Sequence, residues 1–300
     1  MKALVRNILL AVASGIGMTI LAATALAGSD NSDAVVEVAD GVYAFDPQDG
    51  YNSMFVVTDD GVIAIESVNS KHAAGFLVAI KSVTDQPVRY LLQSHNHWDH
   101  SSGGGVFREA GATIIAHERA AEWMAANPGQ DMVQPDETWG GARKDITLGG
   151  TTLELHYMGQ NHGLGMTVFR LPETKVAYVA DIVTPKRVLF TIVPDFNIQE
   201  WLRTHNEIEA LDFDKVVFSH SESGSPIGSK QDVSDSRQFI LDMQGAIFAE
   251  FKKGTNPFEI PSTVKLEKYE DWAGYDQWLE MNVWRVMLDF WMGPYPWQPE

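Results

Sequence analysis

Ser94-His95-Asn96-His97-Trp98-Asp99-His100 comes one residue after the apolar run 88–92. Three imidazoles and a carboxylate therefore fall within positions 95–100. On an extended backbone His95 and His97, two positions apart, face one side. Asp99 and His100 follow once the chain turns, and can face a second ion. A strand that ends in H-x-H-x-D-H thus delivers ligands for two metals. The chain has no cysteine, so zinc or iron here takes nitrogen and oxygen ligands and leaves room for water. A merely His-rich turn gives no reason for ligand-type side chains at this density.

Working outward, the same kind of residue recurs at the ends of other apolar runs. His162 follows 153–158 within Gly159-Gln160-Asn161-His162-Gly163, Asp181 ends 176–180, and His220 ends 216–219. A titratable residue closing a buried strand has little structural reason to be there. The remaining histidines read differently. His72 and His205 fall on expected helices and look exposed, while His117 and His156 lie at or within strands as hydrogen-bonded structural residues.

Between these points the pattern alternates. Residues 35–38 and 42–45 read as strands, and 54–57 with 62–66 as a hairpin over an Asp-Gly turn. Helical spacing covers 71–83, with Phe76, Leu77, Ile80 and Val83 on one face. Glycines at 103–105 open a helix at 106–110, a strand is expected at 113–116, and a helix at 118–126. Residues 127–143, rich in Pro, Gly and polar side chains, read as a surface loop near the site mouth. The second half repeats the plan, with strands at 146–157, 166–171, 176–180 and 216–219 and helices at 199–211 and 232–253. Strands then helix, twice over, predict two sheets packed face to face with helices outside both.

The ends are distinct. A short basic start, an apolar stretch at 8–26 and Ala25-Leu26-Ala27 read as a signal peptide over 1–27, with a retained anchor as the competing reading. Export to a periplasm or outside the cell follows as an expectation. Residues 28–258 form the expected catalytic domain, and 259–300 a Trp-rich extension. Tyr275, Trp278, Leu279, Asn282, Val283, Val286 and Phe290 suit an amphipathic helix that caps the core, pairs two copies as a homodimer, or lines an apolar substrate site. Net charge is −18, which repels phosphate backbones and disfavours nucleic acid as partner or substrate. No later segment is apolar enough to span a bilayer after signal cleavage.

The order His95, His97, Asp99, His100, His162, Asp181, His220 resembles the metallo-β-lactamase superfamily of hydrolases. The likeness covers nearly all of residues 35–250, including the early hairpin, the glycine-rich helix start and Gly228-Ser229-Lys230 before the last long helix. It implies an αββα sandwich with a metal site at one edge of the two sheets. It assigns His95, His97 and His162 to a first ion, Asp99, His100 and His220 to a second, and Asp181 to a bridge. The full set is similar to the glyoxalase II and lactonase branches. Two departures stand out: Gly163-Leu164 replaces the usual His-Thr after the third ligand, and Ser219-His220-Ser221 replaces Gly-His-Gly.

The resemblance implies two zinc ions per chain, with iron or manganese also suited to mixed His/Asp donors. Two such ions lower the pKa of a shared water toward neutrality from about 15.7 in bulk, so hydroxide exists at working pH. The expected activity is hydrolysis of an ester, lactone, thioester or amide in a small molecule, a β-lactam included. Asp99 orients the nucleophile and shuttles its proton. Asn161 is a candidate oxyanion donor, and Lys186 and Arg187 are candidate binders of a substrate carboxylate. Thr184 stands where a lactonase-type Tyr is expected, which counts against a lactone. Two other classes remain open. One is a mononuclear iron oxygenase of the persulfide dioxygenase type, for which the complete ligand set is redundant. The other is a non-catalytic, metal-stabilised binding protein.

Overall fold

Asp59 and Asp60 make a two-residue turn that pairs Thr58 with Gly61, and so register β3 (Ser53–Thr58) against β4 (Gly61–Ile65). This hairpin sits inside a seven-stranded sheet in the computed structural model, which describes residues 34–129 and 131–295. The expected signal peptide lies outside the described residues, as does Trp297. Before the hairpin, β1 (Val35–Ala39) and β2 (Val42–Phe45) are antiparallel. After it, β5 (Val88–Leu92), β6 (Thr113–His117) and β7 (Glu137–Trp139) run parallel to β4. Helix α1 (Ser70–Val83), capped by the Asn69 side chain, supplies the first crossover. The short helices α2 (Trp98–Ser101) and α3 (Gly104–Glu109) and then α4 (Glu118–Ala126) supply the others.

The second sheet has six strands in the order β13-β12-β11-β10-β9-β8. They are β8 (Arg143–Leu148), β9 (Thr151–Tyr157), β10 (Thr167–Leu171), β11 (Val176–Val179), β12 (Lys215–Phe218) and β13 (Ile227–Gly228). Helix α5 (Ile198–Ala210) connects β11 to its parallel neighbour β12. Helix α6 (Lys230–Lys253) starts at a Ser229/Asp232 capping box and stops at the left-handed Gly254. Helices α7 (Ile260–Thr263) and α8 (Tyr275–Met292) complete the described chain.

Three apolar clusters define four layers. Met54, Ile63, Leu92, Leu155, Phe169 and Tyr178 fill the space between the sheets. Phe55, Phe76, Phe107 and Ile114 join the first sheet to α1 and α3. Val179, Phe218, Trp201, Phe239, Ile240, Val283 and Val286 join the second sheet to α5, α6 and α8. The fold is the metallo-β-lactamase sandwich, and α8 packs by its inner face into the same core as α5 and α6. No helix among the described residues is long and apolar enough to cross a membrane.

The structure corrects several expectations. Residues 127–143 are not all loop: β7 pairs with β6, and Arg143 already belongs to β8. The single strand expected at 146–157 is a hairpin over Gly149-Gly150, both with positive φ. A β-carbon at Gly149 would come within 2.5 Å of Asp60 N, so the turn requires glycine. His72 and His205 are buried, because each finds polar partners inside the core. His72 contacts Asp49 and Ser53, and His205 contacts Trp201 O and Ser236.

Candidate metal centre

The chain after β5 carries His95, then turns at His97, the N-cap of α2, so that Asp99 and His100 project from its first turn. His162 is delivered after β9, Asp181 after β11 and His220 after β12. Gly163 allows the two ligand loops to close. A β-carbon there would lie 2.8 Å from Asn96 Oδ1 and 3.1 Å from the His95 ring. In its absence Leu164 N donates to Asn96 Oδ1 (2.6 Å) and Asn96 N donates to Leu164 O (3.1 Å). The first departure from the family pattern thus has a steric reason. The second has a hydrogen-bonding reason: Ser219 Oγ donates to Asp181 Oδ1 (2.8 Å) and accepts from Asp181 N (3.1 Å). That hydroxyl fixes Asp181, whose φ of +46° is unusual for a residue with a side chain.

His95, His97, His162 and Asp181 form one group able to hold a cation, and Asp99, His100 and His220 another. Asp181 reaches both. Its Oδ2 lies 2.9 Å from His162 Nε2, 3.1 Å from His100 Nε2 and 3.8 Å from His95 Nε2, while Oδ1 lies 3.2 Å from His220 Nε2.

Outer partners decide which nitrogen four of the five rings turn inward. His100 Nδ1 bonds Glu66 Oε2 (2.8 Å) and His220 Nδ1 bonds Gly50 O (2.6 Å). Ser94 Oγ donates to Glu66 Oε1, so it accepts from His95 Nδ1 at 2.8 Å. His97 Nε2 bonds Asp195 Oδ2 (2.9 Å). A ring that donates at one nitrogen keeps a lone pair at the other, and the tautomers follow from these partners. The buried Nε2 atoms of His95, His100 and His162 make no hydrogen bond of good geometry, and all three face the same Asp181 oxygen. Inward lone pairs around a shared carboxylate, with no thiolate, fit one or two divalent transition metals.

Electrostatics agree with that fit. Burial, then the nearby His100 and His97 rings, push His95 well below the usual imidazole range, and burial also lowers His162. Burial alone would raise Asp181, but His100, His220 and His162 outweigh it and hold the carboxyl well below its usual range. Burial opposes a charged His100, yet Asp181 and Glu66 raise it well above an ordinary imidazole. A cation at its Nε2 would replace that proton.

The cluster forms the floor of a cavity of about 450 Å³ walled by Tyr51, Arg187, Phe190, Thr191, Asp195 and Phe196. Of the expected substrate-binding residues, Arg187 lines this cavity. It donates Nη2 to Thr184 Oγ1 (3.0 Å), and its Nε is buried without a partner. The other two have their side chains engaged elsewhere. Lys186, at φ +59°, turns its ammonium over the Trp272 ring, 5.7 Å from the centroid, and does not line the cavity. Asn161 is buried in its loop. Its Nδ2 donates to Met158 O and Thr204 Oγ1, and its Oδ1 accepts from His162 N.

Three residues escaped the sequence reading. Tyr51 donates its hydroxyl to Asp99 Oδ2 (3.0 Å) and lays its ring 4.5 Å from that of His220. Glu66 closes β4, so the strand-end rule that singled out Asp181 applies to it as well. Asp195 and Tyr51 come from irregular segments with no such signal. Asp49, His72 and Ser53 are linked in the order of a nucleophilic triad, at 3.0 and 2.9 Å. Ser53 is buried and donates to Glu66 O, so the trio braces the Tyr51 loop, with Asp49 accepting from Tyr51 N.

Residues 46–220 match the sequence profile described as the Metallo-beta-lactamase superfamily. Two curated relatives come from Nocardioides sp. (strain JS1661). The alpha subunit of 2,4-dinitroanisole O-demethylase is 31% identical over 172 residues, 57% of this chain and 52% of the relative. The match thus spans about half of that subunit's length. The beta subunit is 27% identical over 257 residues, 82% of this chain and 78% of the relative. Among solved structures, a metallo-beta-lactamase from Pontibacter korlensis superposes with a TM-score of 0.61 at 20% identity, covering 69% of this chain and 98% of that one. The inverting sec-alkylsulfatase Pisa1 from Pseudomonas sp. gives 0.70 at 15% identity, covering 89% and 52%. At these identities the two structures speak for the fold.

Proposed function

The chain belongs to the metallo-β-lactamase superfamily, and we propose that within it the protein is a metal-dependent hydrolase of a small aromatic molecule. The bond cleaved is of carbonyl type, an ester, lactone, thioester or amide, or an activated aryl ether of the kind named for the Nocardioides relatives. One observation carries this reading: a His/Asp cluster able to hold cations presents His97, Asp99, His162, Asp181 and His220 to a cavity walled by Tyr51, Phe190 and Phe196 together with Arg187, Asp195 and Glu222.

Two zinc ions are the proposed occupants, held by His95, His97 and His162 and by Asp99, His100 and His220, with Asp181 between. Bound there, such ions supply a water ionised near neutral pH and an electrophile for the substrate oxygen. The chain's own groups do the rest. Asp99, steadied by the Tyr51 hydroxyl, orients the water and takes its proton. Arg187, which lines the cavity, offers its guanidinium to an oxygen-rich group on the substrate. Phe190 and Phe196 flank the aromatic body.

Metal analysis combined with turnover of an aryl ester, a lactone, a nitrocefin-type β-lactam and 2,4-dinitroanisole tests the proposal. Two zinc ions with turnover of any of these support it. One iron with oxygen uptake supports the oxygenase class instead, and tight metal with no turnover supports a binding protein.

Two further proposals concern the ends. The apolar stretch at 8–26 before Ala27 supports export, and a mature protein that does not start near Gly28 would remove that idea. Met281, Trp291 and Met292 on the outer face of α8, with Phe258 beside Trp291, are exposed and support pairing with a second copy. A purely monomeric mass by light scattering would count against the pair.

A further inference from the structure

The cavity wall between Lys186 and Phe196 is irregular backbone. Lys186, Thr191 and Val193 all have positive φ (+59°, +49° and +41°). Such residues stay in that region only where their surroundings over-determine them. Here the surroundings come from beyond residue 220, outside the segment that matches the superfamily profile. Ala273 N donates to Lys186 O (2.8 Å), and Val188 N donates to Ala273 O (3.2 Å). From α8, Asn282 Nδ2 donates to Leu189 O (3.0 Å) and Thr191 O (2.6 Å). Arg285 Nε donates to Val193 O (3.0 Å), Nη2 to Phe196 O, and Nη1 pairs with Asp289.

Asn282 and Arg285 are 0% and 1% exposed, on the helix face that also buries Leu279, Val283 and Val286. A guanidinium on an apolar face costs stability unless every donor is used. Here its donors go to the Asp289 carboxylate and to the backbone carbonyls of Val193 and Phe196, both buried residues of the wall whose carbonyls need a partner. The helix is thus built to hold that loop in one shape, and the loop carries Arg187, Phe190, Asp195 and Phe196.

We propose that Asn282 and Arg285 are specificity-determining positioning residues: α8 clamps the 186–196 wall by its carbonyls and so sets which substrates the cavity admits. The kinetic half of this rests on the hydrolase reading. The mechanical half does not.

The test uses Asn282→Ala, with Trp284→Ala on the outer face of α8 as control. Hydrogen exchange at the amides of Val188, Val193 and Phe196 is measured on both metal-free and zinc-loaded full-length protein. In Asn282→Ala these amides exchange at least about tenfold faster, while metal stoichiometry matches the wild type and Trp284→Ala changes neither. With an aryl ester KM rises about tenfold and kcat moves less than about threefold, whereas a small aliphatic ester is barely affected. Unchanged exchange at the three amides overturns the clamp, and so does equal loss for both esters. Should Asn282→Ala fail to fold, Arg285→Lys, which keeps a cation beside Asp289 but loses wall donors, carries the same measurements. Absence of turnover in the wild type would fell the hydrolase reading alone, with the exchange data still deciding the clamp.

Discussion

The floor and the wall of the cavity are built by opposite means. The floor takes its ligands from the ends of strands β5, β9, β11 and β12, and four of its five rings are aimed by one bond to an outer partner, such as His100 to Glu66 or His220 to Gly50. The wall is a loop with three strained residues, shaped by side chains about 90 positions further along the chain. A floor made this way fixes chemistry, because moving any ligand means moving a sheet. A wall made this way leaves substrate choice to a separable element.

If that division is right, substitutions in the floor should abolish chemistry and those in the wall should redistribute it. The largest effect is expected for Asp181→Ala, which removes the carboxylate shared by four imidazoles. Bound metal should fall by about half and turnover should be lost, since ligand-orienting contacts govern occupancy. Unchanged two-metal stoichiometry by elemental analysis would refute the shared role. Asp99→Asn comes next. It keeps size and the Tyr51 contact but removes the base, so kcat should drop about 10²–10⁴-fold with the unfolding temperature little changed. Near-normal rates would take Asp99 out of the mechanism.

The same division explains what could be read in advance. Ligands at strand ends announce themselves, because an apolar run stopped by His or Asp is a local pattern. His95, Asp181 and His220 were legible for that reason, and so was the sandwich that gathers them. Glu66 obeyed the same rule and was passed over as the end of a hairpin strand. The wall had no local pattern. Lys186 and Arg187 are neighbours of like charge, yet a positive φ at Lys186 sends one side chain to Trp272 and leaves the other at the cavity. Asn282 reads as one position on the packing face of the expected amphipathic helix, and Arg285 carries no local signal. Only their contacts with Leu189, Thr191 and Val193 reveal the link to the wall. Buried His72 and His205 lack a local signal for the converse reason: Asp49 and Ser53 for His72, and Ser236 for the second nitrogen of His205, lie on other segments of the chain.

Arg187→Met probes the wall directly. The side chain keeps its length over Phe190 but loses the guanidinium of a residue that lines the cavity. For a nitro- or carboxylate-bearing aryl ester KM should rise about tenfold with kcat nearly constant, the signature of lost uniform binding. An aryl ester without such a group should respond about threefold or less, given the smaller net worth of a neutral hydrogen bond. A kcat loss as large as that of Asp99→Asn would place Arg187 in the floor's chemistry and break the comparison.

The smallest effect separates the two regions by pH. Helix α5 starts where the wall ends, and Trp201 Nε1 on it donates to Ile182 O (2.7 Å). One turn further, burial lowers His205 to about 4. An unfolded imidazole titrates near 6.5. Between those values the unfolded chain binds a proton that the folded one refuses, so stability falls as pH drops through this window. The loss approaches about 3 kcal/mol by pH 4. Asp181 loses its contribution in the same direction but in a lower window: its carboxyl is held below the usual range, so its contribution persists down to the ordinary carboxylate range and fades only in stronger acid. His205→Asn, which can still donate toward Trp201 O, should therefore show a shallower decline in urea stability from pH 7 to 4 than the wild type. Parallel declines would mean that the acid sensitivity of the molecule lies in the floor and not behind the wall.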